Sequence, residues 1–129
     1  TYTGNQLVCS VALENINLFK KKHLIGHIQK TSQTLKQRLE ALQPHKNIGD
    51  IRGRGLMYGV ELVENKSTQT PLDIPTVELI IRRCKENGLM IRNLENVITF
   101  VPILSMSNKE IKKMVKIFDK ALHQTLSKK

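Results

Sequence analysis

The sequence contains no tryptophan, and tyrosine and phenylalanine together make up only 4% of it. Proteins that stack nucleic-acid bases need exposed aromatic side chains set among basic ones. Here Phe100 and Phe118 fall at apolar positions of periodic segments, which leaves little for stacking. Cysteine occurs twice, as Cys9 and Cys84, with no CxxC spacing and no neighbouring histidine, so a thiolate metal site is excluded. Both sit in apolar helical patterns, and two buried, reduced thiols in a cytoplasmic protein are expected. No apolar run approaches the roughly 20 residues that span a bilayer. A secretory leader is not evident, since no basic stretch precedes an apolar one.

Catalytic signatures are equally scarce. The chain lacks a GxSxG elbow, an HExxH pair and any paired-acid arrangement. His23, His27, His45 and His123 lie apart, without a carboxylate at ordered spacing. There is no initiator methionine. The opening Thr1-Tyr2-Thr3-Gly4-Asn5 reads as the middle of a longer protein, and a fragment is expected.

What is abundant is positive charge. Lys and Arg number 21 against 11 acidic residues across 129 positions, for a net charge of +10. Lysines gather at Lys20–Lys22 and along the last segment, from Lys109 to Lys129. A solvated helix face explains such a run most simply. A stand-alone basic module that docks on nucleic acid or an acidic partner is the alternative. A chain of this length buries roughly two-thirds of its surface on folding, enough for one core without staples.

Periodicity orders the elements. Residues 6–43 carry leucine, valine and isoleucine near a 3.6 period, broken about His23 and Gly26 and closed by Pro44. The glycine-dense stretch 47–55 leads into the strand-like run 56–63. It has the glycines of a phosphate-cradling loop but neither the Walker lysine nor the following hydroxyl residue, so a turn with unusual backbone angles is expected. Arg52 and Arg54 remain able to meet an anion. A polar loop is expected over 65–75, a helix over 76–87 stopped by Asn87-Gly88, and strands over 89–91 and 97–101. Ser107-Asn108-Lys109-Glu110 forms a capping box ahead of a final amphipathic helix. The expected fold is α+β: a small, mostly antiparallel sheet with helices on one face.

Two positions invite a binding role. Thr1 precedes a Gly4-Asn5 turn that launches a helix, a geometry suited to a phosphate, although a frayed terminus is the plain alternative. Arg92 closes the expected short strand, where its guanidinium can clamp a carboxylate or sulfonate, or simply lie exposed.

Four blocks in order give these positions a context. Residues 1–13, TYTGNQLVCSVAL, resemble the T-[FY]-x-G-N-P-L-A-C-A-A-A-L block of class III aminotransferases. IGDIRGRGLMYGVEL at 48–62 is similar to that family's V-x-D-V-R-G-x-G-L-M-x-G-[IV]-E-L. ENGLMIR at 86–92 resembles its E-x-G-[VL]-[LW]-[IV]-R strand. VITFVPIL at 97–104, running into the capping box, resembles its hydrophobic-Pro-Pro-Leu segment.

The resemblance implies the C-terminal domain of a fold type I, pyridoxal 5'-phosphate-dependent enzyme, usually homodimeric, moving an amino group from an omega-amino acid or amine to a keto acid. It divides the chain into 1–43, a helical lead from a large cofactor domain, and 44–129, the small C-terminal domain. It implies that Thr1 contacts the cofactor phosphate of the neighbouring subunit, that Arg92 holds the substrate's acid group, and that Thr99 lies against the substrate. The residues around 52–55 are mainly structural in that family. Thr99 stands where ornithine-type members carry an arginine, which favours the omega-type branch; biotin-pathway members carry a tyrosine there, which counts against that identity. Gln6 and Ile103 replace prolines of the pattern. The lysine that bonds the cofactor, its aspartate partner and its stacking aromatic are expected upstream of Thr1, so no catalytic residue is assigned here and this chain alone is expected to be inactive.

Overall fold

The computed structural model describes residues 3–126. Two helices, α1 (Gln6–Lys21) and α2 (Leu24–Glu40), lead into β1 (Ile48–Arg54), β2 (Met57–Asn65) and the short β3 (Thr70–Pro71). Helix α3 (Ile74–Glu86), strands β4 (Arg92–Leu94) and β5 (Val97–Phe100), and helix α4 (Asn108–Leu126) follow. The sheet runs β1-β2-β5-β4, with β3 beside the end of β2, and every pairing is antiparallel. This is the α+β arrangement expected from the sequence.

Local chemistry sets the helix ends. The Asn5 side chain accepts the Val8 N–H at 3.0 Å to open α1. The break before α2 falls at His23, whose φ of 46° is left-handed; Gly26 sits inside α2 and has no part in it. Ser107 and Glu110 cap α4 reciprocally, with the Ser107 N–H donating to Glu110 Oε2 at 2.8 Å and the Glu110 N–H to Ser107 Oγ at 3.3 Å.

Three boundaries differ from the sequence reading. Helix α3 begins at Ile74, inside the expected loop, because Asp73 caps it by accepting the Thr76 N–H at 2.9 Å and Pro75 fits the first turn. Residues 89–91 are not a strand. Gly88 turns left-handed at φ 84°, the Leu89 N–H returns to Cys84 O at 2.9 Å and the Gly88 N–H to Lys85 O at 3.0 Å. That pair of hydrogen bonds terminates α3 and commits the Gly88 and Leu89 amides, and cross-strand pairing starts at Arg92. Residues 48–54 form a strand rather than a turn; among their glycines neither Gly49 nor Gly53 has positive φ. The left-handed residue is Gly55, φ 62°, first in the two-residue β1–β2 connection.

The sheet has two unlike faces. Tyr58, Val60, Leu62, Ile98 and Phe100 point inward to Leu35 and Leu39 of α2, Val77 and Ile80 of α3, and Ile111, Phe118 and Leu122 of α4. Phe100 and Phe118 meet edge to face at 5.1 Å between centroids, joining sheet to helix. Among the described residues no helix covers the opposite face. Cys84 is buried, as expected, and burial pushes its thiol up to about 11; Cys9, expected buried, is exposed on α1. No helix among the described residues is long and apolar enough to cross a membrane.

Candidate functional site

Register places Arg92 and Thr99 on the open face of the sheet. In an antiparallel pair, directly opposed residues project to the same side. Arg52 lies opposite Gly59, Gly59 opposite Thr99, and Thr99 opposite Arg92, so these four form one row across β1, β2, β5 and β4. Gly59 lies at the middle of the row, where Val97 Cγ1 comes within 3.0 Å of the position a Cβ would take.

The two arginines at its ends differ. The Arg52 guanidinium pairs with Glu61 at 2.5 Å and Asp50 at 2.9 Å, and the hydrogen bonds to Glu61 first and Asp50 second hold its pKa above the usual value. Its charge is already answered within the sheet. Arg92 is exposed and has no ion-pair partner among the described residues. Thr99 sits beside it, donating from Oγ1 to the Arg92 carbonyl at 3.0 Å. Arg54, at the end of the hairpin, is also unpaired among the described residues but lines no cavity with Arg92.

Arg92 and Thr99 open onto a cavity of about 740 Å³ whose other walls are apolar. Met57, Met90, Met106 and Met114, all four methionines of the chain, line it together with the 101–103 segment and Phe100. Thioether side chains adapt to irregular apolar ligands. Arg92 is the one charged side chain in the wall. The arrangement can take an elongated apolar molecule and answer one carboxylate or comparable anion through paired hydrogen bonds. Sequence reasoning missed the methionine wall, since four residues spread from 57 to 114 share no spacing. Thr1 lies outside the described residues.

The structure also brings together side chains that the sequence keeps apart. The His45 and His123 rings meet at 5.1 Å, and His123 Nε2 lies 3.4 Å from Asp119. The Asp119/His123 spacing of four on α4 was the available signal for that pair. Among the described residues no group of His, Cys, Asp or Glu could hold a metal ion.

Residues 1–122 match the family model described as aminotransferase class-III. The chain belongs to the class III aminotransferases. It is 67% identical, over its whole length, to the adenosylmethionine-8-amino-7-oxononanoate aminotransferase of Staphylococcus aureus, of which it spans 28%. The crystal structure of the enzyme of that name from Methanocaldococcus jannaschii superposes with a TM-score of 0.90 at 36% identity, covering 98% of this chain and 29% of that one. An omega transaminase from Pseudomonas jessenii gives 0.86 at 29% identity, covering 91% and 26%. The chain therefore spans a little over a quarter of the relatives it matches.

Class III aminotransferases work with pyridoxal 5'-phosphate, which forms its covalent link to the enzyme through a lysine. No lysine lines the Arg92 cavity, and its polar lining is the Arg92 guanidinium and the Thr99 hydroxyl, whose proton goes to the Arg92 carbonyl. These residues suit an anionic group and do not by themselves hold the cofactor.

Proposed function

We propose that this chain is the C-terminal, small-domain part of a pyridoxal-phosphate-dependent transaminase, in which it receives the acid-bearing end of the substrate. The observation that carries the reading is an unpaired guanidinium, Arg92, at the edge of an otherwise apolar cavity. The cofactor supplies the electron sink for moving the amino group, once bound to residues of the larger enzyme. What this chain contributes is binding and orientation: Arg92 holds the acid, Thr99 lines the same wall, and the methionines exclude water along the aliphatic portion.

The most similar relative cited above is named for an oxo acid nine carbons long, with its ketone six carbons from the carboxylate. Such a molecule has the chemistry of this cavity, one anionic end on an apolar chain, and we take an acid of that kind as the acceptor. The branch preference for omega-amino donors, a homodimer in which Thr1 reaches the neighbouring subunit's cofactor phosphate, and a cytoplasmic location belong to the same proposal. They rest on the resemblance of the sequence blocks and on the family match. The alternative of a stand-alone basic module is not favoured by relatives that are transaminases along the whole chain.

Arg92→Ala in the complete enzyme is the test. Losing a charge-assisted contact typically costs about 1.5–3 kcal/mol, so kcat/KM for the acid substrate should fall roughly 10- to 150-fold. An uncharged ester of the same substrate should lose far less. Equal losses on acid and ester, or unchanged kinetics, would refute the role.

A further inference from the structure

The 101–106 loop forms one wall of the Arg92 cavity, and among the described residues few hydrogen bonds hold it. Its own backbone supplies one hydrogen bond, from the Met106 N–H to Ile103 O at 3.0 Å. Pro102 is buried and Met106 is packed in part against the core, while Val101 and Ile103 are exposed. Among the described residues one hydrogen bond reaches this loop from a distant part of the chain. It joins His27 Nε2 on α2 to the Met106 carbonyl at 3.0 Å, across 79 positions of sequence. A carbonyl only accepts, so Nε2 carries the proton, in the neutral ring as in the charged one.

The ring projects from a fixed point. One turn along α2, the buried Thr31 donates from Oγ1 to the His27 carbonyl at 3.0 Å, and further along Leu35 and Leu39 lie fully in the core. His27 is therefore a strut between a rigid helix and a lightly held wall. Binding sites lose fit when such supports slacken, because displacements well under an ångström-scale contact distance already matter.

We propose that His27 is a positioning residue for this cavity: by holding the Met106 carbonyl it sets the separation between the 101–106 wall and Arg92, and with it the fit of an acid-bearing aliphatic substrate. This rests on the reading of the cavity as the substrate's acid site. His27 does not touch the substrate in this account; it acts through the loop.

The experiment uses the complete enzyme with His27→Leu, His27→Gln and, as a control on the site itself, Arg92→Ala. Removing one neutral hydrogen bond should raise KM for the acid substrate roughly 3- to 10-fold in the Leu variant while kcat changes little. The visible absorbance of the bound cofactor should be unaltered. Glutamine, which keeps an N–H donor, should recover most of the lost affinity. If the Leu variant does not fold, His27→Phe, closer to the ring in volume, replaces it. Equal KM shifts with Leu and Gln, or kcat falling in step with kcat/KM, would assign His27 to packing alone and overturn the proposal. An effect of Arg92→Ala with none from His27→Leu overturns the role of His27 and leaves the site standing. No effect of Arg92→Ala removes the site, and the role of His27 with it.

Discussion

His45 shows how a single side chain ties folding to acidity. Its Nδ1 accepts the Asn47 N–H at 3.2 Å, which requires that nitrogen to be unprotonated. Burial first, and the neighbouring His123 second, hold its pKa below the ordinary 6.5; Lys46 and Lys66 push the same way and Asp119 opposes them. The folded state thus binds the proton less readily than the unfolded chain. The stability linked to His45 is fully present above about pH 6.5 and is lost as pH falls through the lower folded value. Urea midpoints measured from pH 8 to 5.5 should decline on the acid side, and His45→Gln should flatten that decline. A wild-type midpoint that is level across the range would remove His45 as the cause.

At the scale of elements, two glycines give opposite forecasts. A Cβ on Gly53 would run into the Met57 carbonyl and lie 2.6 Å from Tyr58 Cγ, at a hairpin whose other strand is pinned in the core. Gly53→Ala should cost roughly 2–4 kcal/mol, because backbone must shift. Gly26 has nothing within 4 Å of the corresponding position and lies in α2, so Gly26→Ala should gain about 0.5 kcal/mol. Paired urea titrations decide both, and the same sign for the two would contradict the packing argument.

Elements governed by local chemistry were legible in the sequence. The capping box at Ser107 and Glu110, the stop at Asn87-Gly88 and the apolar face of α4 all read correctly, since each depends on residues within one or two turns. The start of β4 was misplaced because the hydrogen bonds that end α3 also consume the amide of Leu89, which hydropathy does not register. The glycine-dense 48–54 stretch passed for a turn because its flatness serves close approach to β2 rather than positive φ. Arg92 and Thr99 could be named from resemblance, but their cross-strand pairing comes from register and the methionine wall from the packing of a strand, two loops and α4, both long-range properties.

For the molecule as a whole, α1 is the informative element. Leu7, Val8, Val11, Leu13, Ile16 and Leu18 are all exposed, on more than one side of the helix. A helix apolar around its circumference is normally enclosed. Among the described residues helix α1 packs chiefly on α2, and the chain spans 28% of its Staphylococcus relative, which leaves room for a covering partner in a longer protein. Expressed alone, the chain should elute above its 14.7 kDa on gel filtration. Replacing Leu7, Val11 and Leu18 by glutamine should return it toward that mass. A monomeric wild type would mean that α1 tolerates water as it stands.

The two-faced sheet has a consequence for change over time. Its inner side chains are locked among three helices, and altering one disturbs the core. Arg92, Thr99, Met57 and Met90 stand on or beside the outer surface, where they bear little of the packing. A lineage can therefore exchange them and sample new substrates without first losing the scaffold that presents them.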